Sequence, residues 1–155
     1  LFNENKKFVP IKIESMIRPI RLEDYPRLVE IWESAVLATH DFLKEDDFQY
    51  YKEHLPSYFG FVSLWGLELE GKLVGFMGIA EQALEMLFID ASIRGKGIGK
   101  QLIEFGIQEQ GITKVEVNEQ NDQAVGFYQH MGFQIKSRAA LDAQGKEYPI
   151  LKMEL

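Results

Sequence analysis

LFIDASIRGKGIGKQLI, residues 87–103, changes character twice along its length. It starts as an apolar strand and enters a loop where Gly95, Gly97 and Gly99 alternate with Arg94, Lys96 and Lys100. It leaves as a helix whose apolar stripe runs through Ile98, Leu102 and Phe105. Backbone N–H groups left uncovered by glycine at the positive end of a helix form an anion site. No acidic residue falls between Asp90 and Glu104, so the loop is locally cationic in a chain that is otherwise acidic.

Spacing separates the phosphate loops that fit such a stretch. A P-loop requires glycine five positions before Gly99, where Arg94 stands, and a hydroxyl after Lys100, where Gln101 stands. A dinucleotide fingerprint requires Gly-x-Gly-x-x-Gly after the first strand of a βαβ unit, whereas these glycines are evenly spaced and follow a meander. The remaining pattern is Arg/Gln-x-x-Gly-x-Gly/Ala, met by Arg94, Gly97 and Gly99.

Residues 16–21 read as a first strand, and Leu28, Ile31, Trp32, Ala35 and Val36 mark one face of a helix with Pro26 in its first turn. Asp41 is expected to cap a second helix through KEDDFQYYKEHL, with Pro56 and Gly60 ending it. FVSLWGLELE and KLVGFMGIAE form a hairpin about Gly71, and ALEMLFID supplies the strand entering the loop. After the helix that Gly111 ends, ITKVEV alternates with Val115 and Val117 on one face. A stripe of Ala124, Phe127, Tyr128 and Met131 closes at Gly132, and FQIKSRAAL and KEYPILKMEL finish as strands around residues 142–145. The order is β-α-α-β-β-β-α-β-α-β-β.

The 155 residues, 46% hydrophobic and 26% charged, suit one globular domain, read as residues 16–155 behind a leader or extension of residues 1–15. A formal charge of −7 argues against a nucleic-acid partner and for a cationic one. Cysteine is absent, which removes thiolate nucleophiles and Cys-ligated zinc; no metal is expected. The longest apolar stretch, residues 73–80, is too short to cross a bilayer, so a cytoplasmic protein without a membrane partner is expected.

Residues 87–103 resemble the coenzyme A loop of the GNAT superfamily of acetyl-CoA-dependent N-acetyltransferases, and the element order is that family's order. NDQAVGFYQHMGF, residues 121–133, resembles the family's later helix, with Asn121, Tyr128 seven positions on, and Gly132-Phe133. ATHDFL (38–43), VNEQNDQAVGFY (117–128) and GKEYPIL (145–151) are similar to the bacterial YjaB-type branch. Ala91 departs from the pattern, since the family often carries proline there. The resemblance implies an α/β (α+β) fold with a mixed, mostly antiparallel twisted sheet of about seven strands flanked by helices.

It also implies acetyl-CoA as co-substrate, held by Leu87, Phe88 and Ile89 on a splayed strand, by Arg94, Gly95, Lys96, Gly97, Ile98, Gly99 and Lys100, and by Asn121 and Tyr128. Tyr128 would protonate the leaving thiolate, although a tyrosine on an apolar stripe is equally a core residue. Asn121 and Tyr128 share one helix face, roughly 10 Å apart along the axis. The base that accepts the amine proton is sought among Glu81, Glu85 and His40. Glu81 shares a face with Glu85 if their strand is regular, and both suit a solvent-facing role as well. His40 ends the first helix, whose dipole would favour its cation. The acceptor is expected to be a protein lysine or N-terminus. A small polyamine or aminoglycoside-like amine stays open, as do a non-catalytic acyl-CoA-binding module and the choice between monomer and homodimer.

Overall fold

The computed structural model describes residues 15–155. The leader read over residues 1–15 therefore lies, Ser15 apart, outside the described residues; Ser15 itself pairs with Leu69 as the first residue of a strand. The strands are β1 (Ser15–Pro19), β2 (Ser63–Leu69), β3 (Lys72–Ala80), β4 (Ala83–Ile89), β5 (Lys114–Asn118), β6 (Gln134–Ala139) and β7 (Ile150–Glu154). The helices are α1 (Tyr25–Thr39), α2 (Glu45–Phe59), α3 (Ile98–Gln110) and α4 (Asp122–His130). One seven-stranded sheet runs in the order β1-β2-β3-β4-β5-β7-β6, with β4 and β5 parallel and the other pairs antiparallel.

Each face of the sheet carries its own core. On one, Leu28, Ile31, Trp32 and Val36 of α1 meet Phe48, Leu55 and Phe59 of α2 above Leu73 and Phe76. On the other, Ile98, Leu102 and Ile103 of α3 and Tyr128 of α4 cover Val74, Met77, Leu84, Val115 and Val117. Both hairpin turns that lead into and out of β3 use left-handed backbone, at Glu70 and Gly71 and at Glu81 and Gln82. That geometry matches the twist of tight hairpins.

Some boundaries differ from the sequence reading. Pro56 sits inside α2 instead of ending it, and Lys44, not Asp41, precedes its first turn. Residues 146–149 do not join β7. They cross to α2, where the Tyr148 hydroxyl accepts from Lys44 N at 3.1 Å and donates to Asp47, and Lys146 pairs with Asp47 at 3.0 Å.

Candidate active site

The site begins as a defect in the sheet. β4 and β5 pair only at Ala83–Lys114 and Leu84–Val115. Beyond that point Glu116, Val117 and Asn118 stay with β7, while Met86 to Ile89 stay with β3, and the two strands diverge. The cause lies in the register: Gly78 faces Met86 and Ile79 faces Leu84, so Glu85 is the extra residue of a β-bulge. A bulge bends its strand and raises local twist. The β5-facing edge of β4 is thus left without a strand partner, and its backbone groups must be satisfied by something else.

At the α3 end of this wedge the loop is built for an anion. Gly95 (φ +82°) and Gly97 (φ +74°) take left-handed backbone, and a Cβ at either would meet nothing within 4 Å. Gly97 precedes α3 without any side-chain cap, and the first intrahelical bond is Gln101 N to Gly97 O. The N–H groups of Ile98, Gly99 and Lys100 are left to point out of the helix end. Gly99 lies in the first turn of α3 between Ile89 and Phe127, each 3.9 Å from where its Cβ would stand, an ordinary contact distance. Arg94, which hydrogen-bonds Gln123 across the loop, Lys96 and Lys100 are exposed around it. Uncapped donors, open glycine space and cations together fit a diphosphate.

Asp90 fixes where this loop starts. Its N–H donates to Val74 O, and its carboxylate accepts from Arg27 at 2.8 Å and from Ser92 N at 3.0 Å. Burial opposes the charge, yet those hydrogen bonds hold its pKa down at about 2. Ala91 N donates to Ser34 Oγ at 3.0 Å, a bond that proline at this position would lack.

A cleft of about 380 Å³ runs from the loop along the wedge, lined by Leu87, Phe88 and Ile89 of β4, by Asn121, Gln123 and Phe127, and by Tyr128. Asn121 precedes α4 and spends its Oδ1 on the N–H of Ala124 at 3.2 Å, which leaves its amide NH2 to donate. Tyr128 packs in the core and also lines the cleft. Its ring packs edge-on against Phe133 in the core, while its hydroxyl has no hydrogen-bond partner among the described residues and is not sealed off. Burial pushes the phenol well above its ordinary pKa, so it stays protonated.

A second cleft of about 350 Å³ lies on the α1–α2 side and meets the first at the wedge. His40, Glu85, Met86, Phe88, Glu116 and Asn118 line both. Its far wall is aromatic and acidic, with Trp32, Tyr51, Tyr58, Tyr148 and Asp142, and Phe61 stands 81% exposed at its rim. Burial, then the nearby charges of Glu116 and Glu81, raises the pKa of Glu85.

Two sequence expectations change here. Glu81 occupies the β3–β4 turn and is exposed, because the bulge and the turn break the regular strand that would have aligned it with Glu85; it lines neither cleft. His40 does end α1, but burial outweighs the neighbouring charge of Asp41 and lowers its pKa to about 4, so the ring is neutral. Residues that sequence reasoning missed are Glu116, Asn118, Gln123, Asp142 and Tyr148. The alternation that buries Val115 and Val117 does put Glu116 and Asn118 on the opposite face, so those were within reach.

The Acetyltransferase (GNAT) domain family matches residues 61–135. The chain is 39% identical over 138 residues to the peptidyl-lysine N-acetyltransferase YjaB of Salmonella typhimurium, covering 88% of this chain and 95% of that one. It is 31% identical over 125 residues to the peptidyl-lysine N-acetyltransferase YiaC of Escherichia coli, covering 77% and 84%. The solution structure of apo YjaB from Escherichia coli superposes with a TM-score of 0.85 at 38% identity, over 92% of this chain and 97% of that one.

Proposed function

This chain belongs to the GNAT family of acetyl-CoA-dependent N-acetyltransferases, and on that premise we propose that the amine it acetylates is a lysine side chain of a protein. The observation that carries the proposal is the meeting of two clefts at one wedge, where they share His40, Glu85 and Glu116. The loop cleft takes coenzyme A with its diphosphate on the α3 donors, and its pantetheine arm runs along the unpaired edge of β4. The second cleft takes the acceptor, since carboxylates attract an ammonium and aromatic walls suit both a cation and an aliphatic stem.

The reaction proceeds by direct attack. The ammonium first gives one proton to solvent; the neutral nitrogen then bonds to the thioester carbonyl carbon as the carbonyl π pair moves onto oxygen. A β4 backbone N–H stabilises that oxygen. As the C–S bond breaks, the proton on nitrogen passes to the Glu85 carboxylate, directly or through water, and Tyr128 delivers a proton to sulfur. The products are the N-acetylated lysine and free coenzyme A. A chain without cysteine has no acyl-cysteine route. The net charge of −7 disfavours nucleic acid, no helix among the described residues is long and apolar enough to cross a membrane, and we place the enzyme in the cytoplasm as a monomer or homodimer.

The test is mass spectrometry of a lysine-containing peptide, its Lys→Arg counterpart and a polyamine, each with acetyl-CoA. Acetyl gain on the lysine peptide alone is expected. Acetylation confined to the polyamine, or thiol release with no acetylated product, contradicts the proposal.

A further inference from the structure

The Thr39 and His40 side chains carry information about hydrogen position. Thr39 Oγ1 lies 2.7 Å from Ala35 O and 2.7 Å from His40 Nδ1. A carbonyl oxygen can only accept, so the single hydroxyl proton of Thr39 goes to Ala35. Toward the ring the hydroxyl can then only accept, and both short contacts are hydrogen bonds only if Nδ1 carries the imidazole proton. Nε2 is thereby left as a lone-pair acceptor. It has no hydrogen-bond partner among the described residues and is not sealed off, since the enclosed side-chain polar atom without a partner among them is Trp65 Nε1.

The ring stands where both clefts meet, with the Phe42 ring tilted at 43° beside it, centroids 5.1 Å apart. The titratable groups that face it or line the clefts beside it are Asp41 on its own segment, Tyr51 and Tyr58 on α2, Glu85 on β4, Glu116 on β5, Tyr128 on α4, Asp142 and Tyr148 from the β6–β7 segment, and Arg94 and Lys100 at the glycine loop. A cationic ring here would repel an incoming ammonium, and burial keeps it neutral.

We propose that His40 Nε2 accepts an N–H of the acceptor amine and so aims the nitrogen lone pair at the thioester carbon, and that Thr39 is the positioning residue that fixes the tautomer. This rests on the acetyl-transfer reading above. The orientation removes freedom from the attacking nitrogen before reaction, which is where a correctly placed reactant gains rate. Glu85 retains the task of taking the proton, so His40 need not be a strong base.

The experiment combines nitrogen NMR with kinetics on the full chain. The imidazole nitrogens of His40 are assigned against His40→Gln, and the wild type is expected to show Nδ1 protonated and Nε2 unprotonated near neutral pH. Thr39→Val should lose that preference and lower kcat about tenfold, the worth of one hydrogen bond, with acetyl-CoA affinity unchanged as the control for folding. Thr39→Ser should restore both the tautomer and the rate. A wild-type ring protonated at Nε2, or a Thr39→Val enzyme with full turnover, overturns the inference. An inactive wild type with every amine would instead overturn the reading on which it rests.

Discussion

At the scale of single residues, the proposed mechanism divides the proton work between Tyr128 and Glu85, at the two ends of the reacting bond system. Tyr128 is buried in the core by its ring and stays protonated because burial disfavours the phenolate. A thiolate leaving into the same apolar cleft is also poorly solvated, which raises its demand for a proton or a hydrogen bond. Tyr128→Phe should therefore lower kcat about a hundredfold, the usual range for a positioned acid, and leave acetyl-CoA affinity unchanged by calorimetry. Glu85 answers to pH. Its pKa is raised first by burial and then by Glu116 and Glu81, so the acid limb of kcat/KM should fall above the ordinary carboxylate range. Activity is lost as pH drops through that limb and the base becomes protonated. In Glu85→Gln the limb should disappear along with most of the rate, which a pH series on wild type and variant would establish.

At the scale of elements, the phosphate loop depends on α1 as much as on its own glycines. Arg27 on α1 bonds Leu73 O at 3.0 Å and the Asp90 carboxylate at 2.8 Å, tying the start of the loop to the neighbouring strand. Arg27→Ala should weaken acetyl-CoA binding about tenfold, as loss of a charge-assisted bond that positions the donors. It should also change acid stability. Asp90 holds a pKa of about 2 in the folded chain, below its unfolded value near 4, so its contribution to stability is complete above the unfolded value and is lost as pH falls toward 2. Chemical denaturation at stepped pH should show that loss in wild type and a smaller one in the variant. The loop itself was legible in the sequence, because glycine spacing, local charge and the helix stripe all act over neighbouring residues. Asn121 and Tyr128 line the same cleft, which their seven-residue spacing allows. The β4 bulge was not, since it depends on register with β3, and without it Glu81 was aligned with Glu85. Pro56 was misread as a stop because the packing of Leu55 and Phe59 in the core outweighs the lost backbone bond. Tyr148 and Asp142 were out of reach because they meet α2 from about a hundred residues away along the chain, where local pattern carries no information.

At the scale of the whole molecule, the sheet is a shared wall. Two separate cores pin helices to its two faces, and the only parallel pair among the described residues, β4 with β5, opens soon after it forms. That opening joins a cationic cleft made by α3 and its loop to an acidic, aromatic cleft on the α1–α2 side. The charge of the whole chain, −7, draws a basic acceptor toward one side while three cations beside the glycines keep the other side suited to an anion. The arrangement requires both substrates to be present at once. Initial rates with acetyl-CoA varied at several fixed concentrations of a lysine peptide test this most directly. The double-reciprocal lines should intersect, with no acetyl group left on the protein when the peptide is withheld. Parallel lines together with an acetylated enzyme would mean a covalent relay and contradict transfer across the wedge.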